Sequence, residues 1–451
     1  MEIIRKGSER AAAIVENRHP DTSASYRLSA FVLPFSENGV HLLMSTLTGQ
    51  VLLLDGREHA QLGTMQKQGS VPWSFLAENG LEELARQRFA VEKDWDDTEL
   101  YLETLRTMKM MHPDKPGLSS YTVIPTSACN ARCVYCFEEG TPVMTMSPET
   151  AERVADYICE TKQEGKIHLA WFGGEPLLGH QIISGICRTL NSRGIEFQSS
   201  TISNGSLITP DLADEMREVW HLKKAQISLD GDRETYRIRK RYADPERYNY
   251  DAVMRGIRLL AERGVKTILR INCDRGNLAG MKDFLEEMEQ EFGEFKKVSV
   301  YLRILYQAQT APDVVELLKE IDRYSAQIVL NAPEPFEKEG KDSLKLNSCT
   351  ADCMDKCVII DPKGDFYACD ECPPGTSWGN IFDGITDPEL FERMKAPRAV
   401  CEPCRQCLML PRCTPFAKSG CRVVASEPHC LERRKLDLER QLSRFIRNLE
   451  G

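Results

Sequence analysis

Between residues 118 and 320, short apolar segments alternate with segments whose apolar residues recur at helical spacing. Amphipathic helices are predicted at residues 148–163, 178–193, 210–218, 250–263 and 278–291. The strand-like segments around them are YTVIPT, KIHLAWFGG, EFQSSTISNG, KKAQISLDG, VKTILRIN and KKVSVYLRIL. Strands that alternate with helices favour crossover connections, so we expect an α/β domain with a parallel sheet that is closed or partly closed as a barrel.

Polar or glycine-rich segments follow these strands one after another. They are a cysteine loop, GGEP, SNG, LDG and RIN. In barrels of this kind the chemistry collects at the carboxyl ends of the strands. The functional site is therefore expected at this end of the sheet.

Two regions with different patterns flank the alternating segment, and they divide the chain at 1–115, 116–320 and 321–451. In the first, the apolar runs SAFVLPF and GVHLLMSTL flank an Asn-Gly turn, GQVLLLD follows, and charged amphipathic segments come next. This pattern predicts a small sheet with helices, which either binds a partner by edge-strand addition or covers one end of the main domain. The last region is loop-rich and cysteine-dense, and it ends in a predicted helix from about Glu427 to Leu449 that we expect to pack on the main domain.

The composition is that of a globular protein, with 41% hydrophobic and 28% charged residues. A net charge of -10 argues against diffuse electrostatic binding to nucleic acid or to anionic lipid. No apolar run reaches the roughly 18 residues of a membrane helix, and the charged start lacks a signal-peptide core. We therefore expect a cytoplasmic protein that acts on small molecules or peptides.

The chain contains 17 cysteines, and eleven of them lie between Cys349 and Cys430. A reducing compartment disfavours disulfides, so metal or cluster ligation is the expected use. Cys129, Cys133 and Cys136 stand apart from this group, at CxxxCxxC spacing after the first barrel strand. Three thiolates suit a four-iron cluster and leave one iron open to another ligand, while a zinc site with a fourth ligand elsewhere is the alternative.

This motif, with Tyr135 before its last cysteine, resembles the signature of the radical S-adenosylmethionine (SAM) enzymes. The resemblance implies a partial (β/α)6 radical SAM barrel, a [4Fe-4S] cluster and SAM, which the reduced cluster cleaves to methionine and a 5'-deoxyadenosyl radical. The radical then takes a hydrogen atom from the substrate. Gly173, Gly174 and Glu175 match the GGE segment, which in the family lies along the methionine end of SAM and takes its amino group.

Further residues at strand ends resemble family positions that face the ribose or carboxylate of SAM. Outside this context, SNG and LDG are ordinary strand-ending turns. A purely structural hydrogen-bonding role is an equal alternative for Arg270 and Asn272. The positions that resemble those facing SAM are Ser203, Asn204, Ser228 and Asp230, while Arg270 and Asn272 resemble a family strand end. By the same resemblance, Arg239 or Lys240 meets the SAM carboxylate, and the density of basic residues leaves both open.

The C-terminal cysteines resemble the SPASM domain, the cysteine-rich extension of radical SAM enzymes that modify peptides and proteins, which commonly holds two auxiliary [4Fe-4S] clusters. By order, the resemblance assigns to the first cluster Cys357, Cys369 and Cys421, with Cys349 or Cys353. The residues that it assigns to the second cluster are Cys404, Cys407, Cys413 and Cys430. The spacing from Cys413 to Cys421 departs from the family pattern, Cys372 and Cys401 are further candidates, and a zinc-ribbon-like site is the alternative.

Asp370 follows Cys369 directly. In the SPASM sulfatase maturases an Asp at this position takes a proton from the substrate side chain. Asp370 is therefore either a general base or a hydrogen-bonding residue of the cluster loop.

The barrel, the auxiliary-cluster region and the additional N-terminal region together favour a maturase of a ribosomally made peptide. In such enzymes a winged-helix-like N-terminal domain often binds the leader of the precursor peptide. The expected reaction is an oxidative cross-link, a thioether or a carbon–carbon bond, with a flavodoxin or ferredoxin as electron donor. The alternatives are an anaerobic sulfatase maturase that forms formylglycine and a non-catalytic iron–sulfur or zinc binding module.

Overall fold

The structure is a computed structural model that describes residues 1–6, 19–111, 115–305, 308, 313–325, 354–369, 376–395, 400, 402–412 and 430–450. Several predicted or further candidate site residues lie outside the described residues. They are Cys349, Cys353, Asp370, Cys372, Cys401, Cys413 and Cys421. The side chain of Cys430 is not described either. Within the described ranges, every helix is too short or too polar to cross a membrane.

The described residues of the N-terminal region form two small sheets and four helices. The elements are β1 (Glu2–Arg5), β2 (Ser25–Leu28), β3 (Val32–Glu37), β4 (Val40–Ser45), β5 (Val51–Leu54), α1 (Gly56–Gln68), β6 (Val71–Pro72), α2 (Trp73–Asn79), α3 (Glu82–Arg86), β7 (Ala90–Glu92) and α4 (Asp97–Met111). The strand orders are β1-β5-β4-β3 and β6-β2-β7. Strands β3 and β4 form the predicted hairpin, whose two turn residues, Asn38 and Gly39, both have positive φ.

Six parallel strands alternate with helices through the middle of the chain, as the pattern predicts. The elements are β8 (Ser120–Thr126), α5 (Pro148–Thr161), β9 (Ile167–Gly173), α6 (His180–Ser192), β10 (Phe197–Ser203), α7 (Pro210–Glu218), β11 (Leu222–Ser228), α8 (Arg233–Lys240), α9 (Tyr250–Glu262), β12 (Lys266–Cys273), α10 (Met281–Phe292), β13 (Val298–Ile304) and α11 (Val314–Ser325). The strands are paired in chain order from β8 to β13, and the ladder is open. The expected partial α/β barrel is therefore confirmed.

The two faces of this sheet differ in accessibility because successive side chains point to opposite sides of a strand. One face carries apolar side chains that are fully buried, such as Trp171, Ile227 and Leu269. Alternate residues lie on the other face, where Ile202 is 42% exposed and Arg303 is exposed as well. The inner face of the partial barrel is thus open to a substrate.

The cysteine-rich region extends the same sheet. Its elements are β14 (Cys357–Ile360), β15 (Asp365–Tyr367), β16 (Gly379–Asn380), β17 (Gly384–Ile385), α12 (Pro388–Lys395) and α13 (Cys430–Glu450). Strand β14 pairs with β8 in parallel, and β15, β16 and β17 follow as an antiparallel extension. The sheet therefore has ten strands, from β13 at one edge to β17 at the other.

The C-terminal helix α13 packs on both the N-terminal sheet and helix α11. Leu438, Leu442 and Ile446 are buried against a core that includes Leu33 and Leu42. Packing on the main domain is expected from the sequence, and α13 does contact α11, with Leu436 packed against the core of the barrel. The additional contact with the N-terminal sheet was not predicted. The physical reason is that the N-terminal sheet has apolar side chains on both faces, and its own helices cover one of them.

Candidate active site

The loop after β8 carries Cys129, Cys133 and Cys136 as partly buried thiols that form no disulfide. The backbone amide of Ala131 donates to Cys129 Sγ at 3.4 Å, and a turn joins the amide of Cys136 to the carbonyl of Cys133 at 3.1 Å. Burial raises the pKa of Cys129 to about 12, and the neighbouring Cys133 and Cys136 add to the rise. The three thiols are therefore close enough to interact electrostatically, and ligation as thiolates releases protons.

The carboxyl end of α8 holds this loop in place. The amide of Arg132 donates to the backbone carbonyls of Lys240 at 2.9 Å and Arg241 at 3.0 Å. The amide of Val134 donates to the backbone carbonyl of Arg239 at 3.0 Å. A helix leaves its last carbonyls without intrahelical partners, and the cysteine loop supplies donors to them. Helix α8 is absent from the sequence-based prediction, although Asp232 caps its first turn.

Gly173 and Gly174 lie against the segment that leads into Cys129. A Cβ on Gly173 would stand 2.4 Å from the Thr126 carbonyl oxygen. A Cβ on Gly174 would stand 2.4 Å from the Ser127 oxygen and 2.5 Å from the Ala128 oxygen. Only glycine allows this approach, so the GGE backbone lies directly beside the cysteine loop.

Glu175 ties the end of β9 to the end of β10. Its carboxylate is fully buried and accepts hydrogen bonds from Ser203 Oγ at 2.8 Å, from the Asn204 amide at 2.7 Å and from the Leu177 amide at 3.1 Å. Burial raises its pKa, and these hydrogen bonds act against the rise. The backbone of Gly173 and Gly174 faces the cysteine loop. The carboxylate of Glu175, which the resemblance pairs with the amino group of SAM, is directed into the protein.

Asn130, which the sequence analysis missed, connects the cysteine loop to the end of β10. It accepts from Asn204 Nδ2 at 2.8 Å and donates to Ser206 Oγ at 3.0 Å, and all three residues are buried. The motif spacing leaves this position unspecified. Its polarity in a cysteine-rich loop is the only signal in the sequence.

Tyr135 belongs to a buried polar cluster at the ends of β11 and β12. Its hydroxyl donates to Asp230 and accepts from Lys240 Nζ at 2.8 Å. Lys240 Nζ also donates to Ser228 Oγ at 2.8 Å and forms an ion pair with Asp230 at 3.3 Å. Asn272 Nδ2 donates to the other oxygen of Asp230 at 3.0 Å. The structure thus brings together five residues that the sequence analysis names, and Lys240 contacts three of them, Tyr135, Ser228 and Asp230.

The side chains of Arg239 and Arg270 border this cluster without a hydrogen bond to Ser228 or Asp230. The Arg239 guanidinium lies 5.4 Å from the centre of the Tyr135 ring and donates to the Asn272 carbonyl at 3.4 Å. Arg239 donates to both carboxylate oxygens of Asp274, each at 3.0 Å, and Arg270 Nε donates to Asn272 Oδ1 at 2.9 Å. Of the two candidates for a carboxylate partner, Lys240 is therefore the one that contacts Ser228 and Asp230.

Cys357 and Cys369 lie opposite each other at one end of the β14–β15 hairpin. The register pairs Ile359 with Tyr367, and two more residues in each direction bring the cysteines across from each other. Cys357 is level with Ser120, at the amino end of β8, whereas the cysteine loop follows the carboxyl end. At about 3.3 Å per residue, the length of β8 separates the pair Cys357 and Cys369 from the cysteine loop by about 20 Å along the strand.

Cys404 and Cys407 form a turn that contacts the N-terminal region. The amide of Cys407 donates to the Cys404 carbonyl at 3.1 Å, and both side chains pack against a core that contains Phe31 and Tyr101. The hydroxyl of Thr46 donates to the carbonyl of Leu408 at 2.6 Å. The N-terminal region therefore touches the segment that carries this predicted cluster motif.

The donor chemistry of the cysteine loop fits a cluster ligated by thiolates. Among the described residues, no three His, Cys, Asp or Glu side chains are gathered closely enough for a single metal ion. The three thiols, the close glycine backbone and the buried polar cluster all lie at the carboxyl ends of β8 to β12.

Residues 123–288 match the family model of the Radical SAM superfamily, and this part of the chain is a radical SAM domain. The superfamily implies a four-iron cluster and SAM as cofactors.

Known proteins resemble part of this chain. Fe-coproporphyrin III synthase of Methanosarcina barkeri is 25% identical over 219 residues, which are 48% of this chain and 51% of that protein. A probable GTP 3',8-cyclase of Methanopyrus kandleri is 33% identical over 156 residues, 34% of this chain and 46% of that protein. The chain thus spans about half the length of these two relatives.

The solved structure of native anSMEcpe with bound AdoMet shares the fold. It superposes with a TM-score of 0.57 at 17% identity, over 73% of this chain and 98% of that chain. At this identity the likeness shows the fold alone.

Proposed function

We propose that this chain is a radical SAM enzyme that installs an oxidative cross-link, a thioether or a carbon–carbon bond, in a ribosomal precursor peptide. One observation carries the proposal. A single sheet bears the three-thiol loop at the carboxyl end of β8 and the opposed pair Cys357 and Cys369 on the hairpin beside the same strand. Two sets of thiols on one sheet, next to an open inner face, suit a SAM cluster and an auxiliary cluster that act on one substrate.

In the proposed enzyme Cys129, Cys133 and Cys136 hold the cluster that binds SAM, and the backbone of Gly173 and Gly174, which lies against the segment leading into Cys129, borders the methionine end of SAM. When bound, the cluster and SAM supply the radical that removes a hydrogen atom from the substrate. The chain's own residues orient these groups: the α8 carbonyls fix the loop, and the buried polar cluster around Tyr135 fixes its last turn.

A cross-link removes two hydrogen atoms from the peptide. The first leaves with the radical, and the second leaves as a proton and an electron. We assign the proton to a base such as Asp370 and the electron to the auxiliary clusters of region 321–451. The N-terminal region 1–115 is the proposed binding site for the leader, and a flavodoxin or ferredoxin is the proposed electron donor.

The first test is anaerobic quantitation of iron and sulfide, with electron paramagnetic resonance, on wild type and on the Cys129/Cys133/Cys136 triple alanine variant. Since each cluster has four irons, we expect about twelve irons in the wild type and about eight in the variant. SAM cleavage should disappear in Cys133→Ala. The enzyme proposal would be refuted in favour of a binding module by either of two outcomes: stoichiometric zinc in the protein, or well-reconstituted wild type that does not cleave SAM.

The peptide part of the proposal has its own test. Anaerobic co-expression with a library of candidate precursor peptides should yield one peptide that has lost two hydrogen atoms per cross-link, and tandem mass spectrometry should show linked fragments. A peptide that instead carries an aldehyde in place of a Cys or Ser side chain would support the sulfatase maturase alternative.

A further inference from the structure

The ion pair of Lys240 and Asp230 is buried beside the cysteine loop. Their side chains are 2% and 0% exposed. Removing two charges from water costs several kcal/mol per ion, and an apolar pair of similar volume is often as stable. A pair in this position is therefore poorly explained by its contribution to stability.

Hydrogen bonds hold both charged groups in fixed positions. The ammonium group of Lys240 reaches Tyr135 and Ser228 at 2.8 Å each and Asp230 at 3.3 Å, so its three N–H groups each have an acceptor. Asp230 also accepts from the backbone amide of Asn272 at 3.3 Å and from its Nδ2 at 3.0 Å. Neither charge is able to turn away from the site without leaving a buried partner unsatisfied.

The pair lies within electrostatic reach of the cysteine loop. Tyr135, which bonds to both members, directly precedes Cys136, and the Lys240 carbonyl accepts from the Arg132 amide at 2.9 Å. Burial opposes the charge of Lys240, but attraction to Asp230, Tyr135 and Cys133 outweighs it and raises the pKa of Lys240 well above its usual value. Lys240 is thus held as a cation whose ammonium group bonds to Tyr135, the residue between Val134 and Cys136.

We infer that Lys240 and Asp230 set the reduction potential of the cluster held by Cys129, Cys133 and Cys136. The inference rests on the proposed function, since it requires that cluster. Reduction adds one negative charge, which a nearby ammonium stabilises and a nearby carboxylate destabilises. Both charges are buried, so salt screens them little. The two residues act through space on the cluster and are positioning residues.

The test is an anaerobic redox titration, without SAM, of the electron paramagnetic resonance signal that the triple alanine variant lacks. Removing the cation in Lys240→Met should move the midpoint potential to a more negative value. Removing the anion in Asp230→Asn should move it to a more positive value, and Lys240→Arg, which keeps the charge, should stay near wild type.

Arg237→Met is the matched control. Arg237 lies on the same helix and loses the same charge, but its side chain is 66% exposed and pairs with Glu234 at the surface. The midpoint potential of the cluster in Arg237→Met should equal that of the wild type, because solvent screens exposed charges.

Opposite shifts in Lys240→Met and Asp230→Asn support the inference, because a merely structural pair would lower iron retention or thermal stability in both variants without a difference in sign. Shifts of the same sign, or none, overturn it. If Lys240→Met takes up no iron, Asp230→Asn decides: a positive shift supports the inference and an unchanged potential overturns it. Wild type that loads no cluster at the three cysteines would refute the proposed function, whereas a loaded cluster that ignores both substitutions refutes only this inference.

Discussion

Replacing Gly174 with alanine should disrupt the cysteine loop. The added Cβ would lie 2.4 Å from the Ser127 carbonyl oxygen, 2.5 Å from that of Ala128 and 2.8 Å from the Ala128 carbonyl carbon. All three atoms belong to the backbone, so the clash is relieved only if the chain just before Cys129 moves. Overpacking of this kind costs about 1–3 kcal/mol. Since about 1 kcal/mol lowers Tm by about 2–4 °C in a domain of this size, a fall of several degrees is expected.

Gly185→Ala is the matched control for this substitution. Gly185 lies in α6, a few residues beyond the same motif, and a Cβ there would meet nothing within 4 Å. Alanine is favoured over glycine in a helix by about 1 kcal/mol, so this variant should keep or raise Tm. Thermal unfolding of the iron-free proteins and iron content after reconstitution are the measurements. A Gly174→Ala protein with wild-type Tm and wild-type iron content would refute the close approach on which the site description depends.

Two further predictions concern buried side chains. Glu175→Gln should destabilise the fold by about 1–3 kcal/mol, because the amide that replaces one carboxylate oxygen leaves a buried donor unpaired. The pKa of Glu175 is raised in the folded state, so the folded protein keeps a proton that the unfolded chain releases; wild-type stability relative to Glu175→Gln should therefore fall as the pH rises above the usual pKa of a glutamate. Urea unfolding at several pH values checks this, and a difference that grows with pH contradicts it. Leu442→Ala should cost about 2–5 kcal/mol because the side chain is fully buried against the N-terminal sheet, whereas Leu431→Ala, at a 44% exposed position of the same helix, should change stability by less than about 0.5 kcal/mol. Equal effects of the two substitutions would argue against this interface.

The parts of the fold that local patterns encode could be predicted, and those that depend on distant pairing could not. The helices α5, α7 and α9 and all six central strands are found where apolar periodicity predicts them. Helix α8 was not predicted because its apolar face is formed by Tyr236 and the aliphatic part of Lys240, within a run of charged residues. The pairing of Cys357 with Ser120 joins residues more than two hundred positions apart, and nothing in either segment encodes the partner.

The same distinction applies to the site. The spacing of cysteines and the GGE motif locate the loop, but they do not show which polar groups are directed toward it. Glu175, whose charge suggests a ligand, is turned inward because Ser203 and the Asn204 amide converge on it from the next strand. Lys240, indistinguishable from its basic neighbours in the sequence, is central because Asp230 and Ser228 end the strand beside it. Side-chain roles of this kind depend on how strands align.

The packing of the N-terminal sheet links the two flanking regions. Leu33 and Leu42 share one core with Met409, Leu442 and Ile446, so part of the first region and part of the last are buried together. The same sheet also contacts the turn of the Cys404 and Cys407 motif through Thr46. A domain proposed to bind the leader therefore rests directly on a segment proposed to hold an auxiliary cluster. Removing residues 1–115 would expose the apolar face of α13 together with that turn, so loss of activity in such a truncation would not by itself identify a leader-binding site, and substitutions on the exposed edge of the sheet are the sharper test.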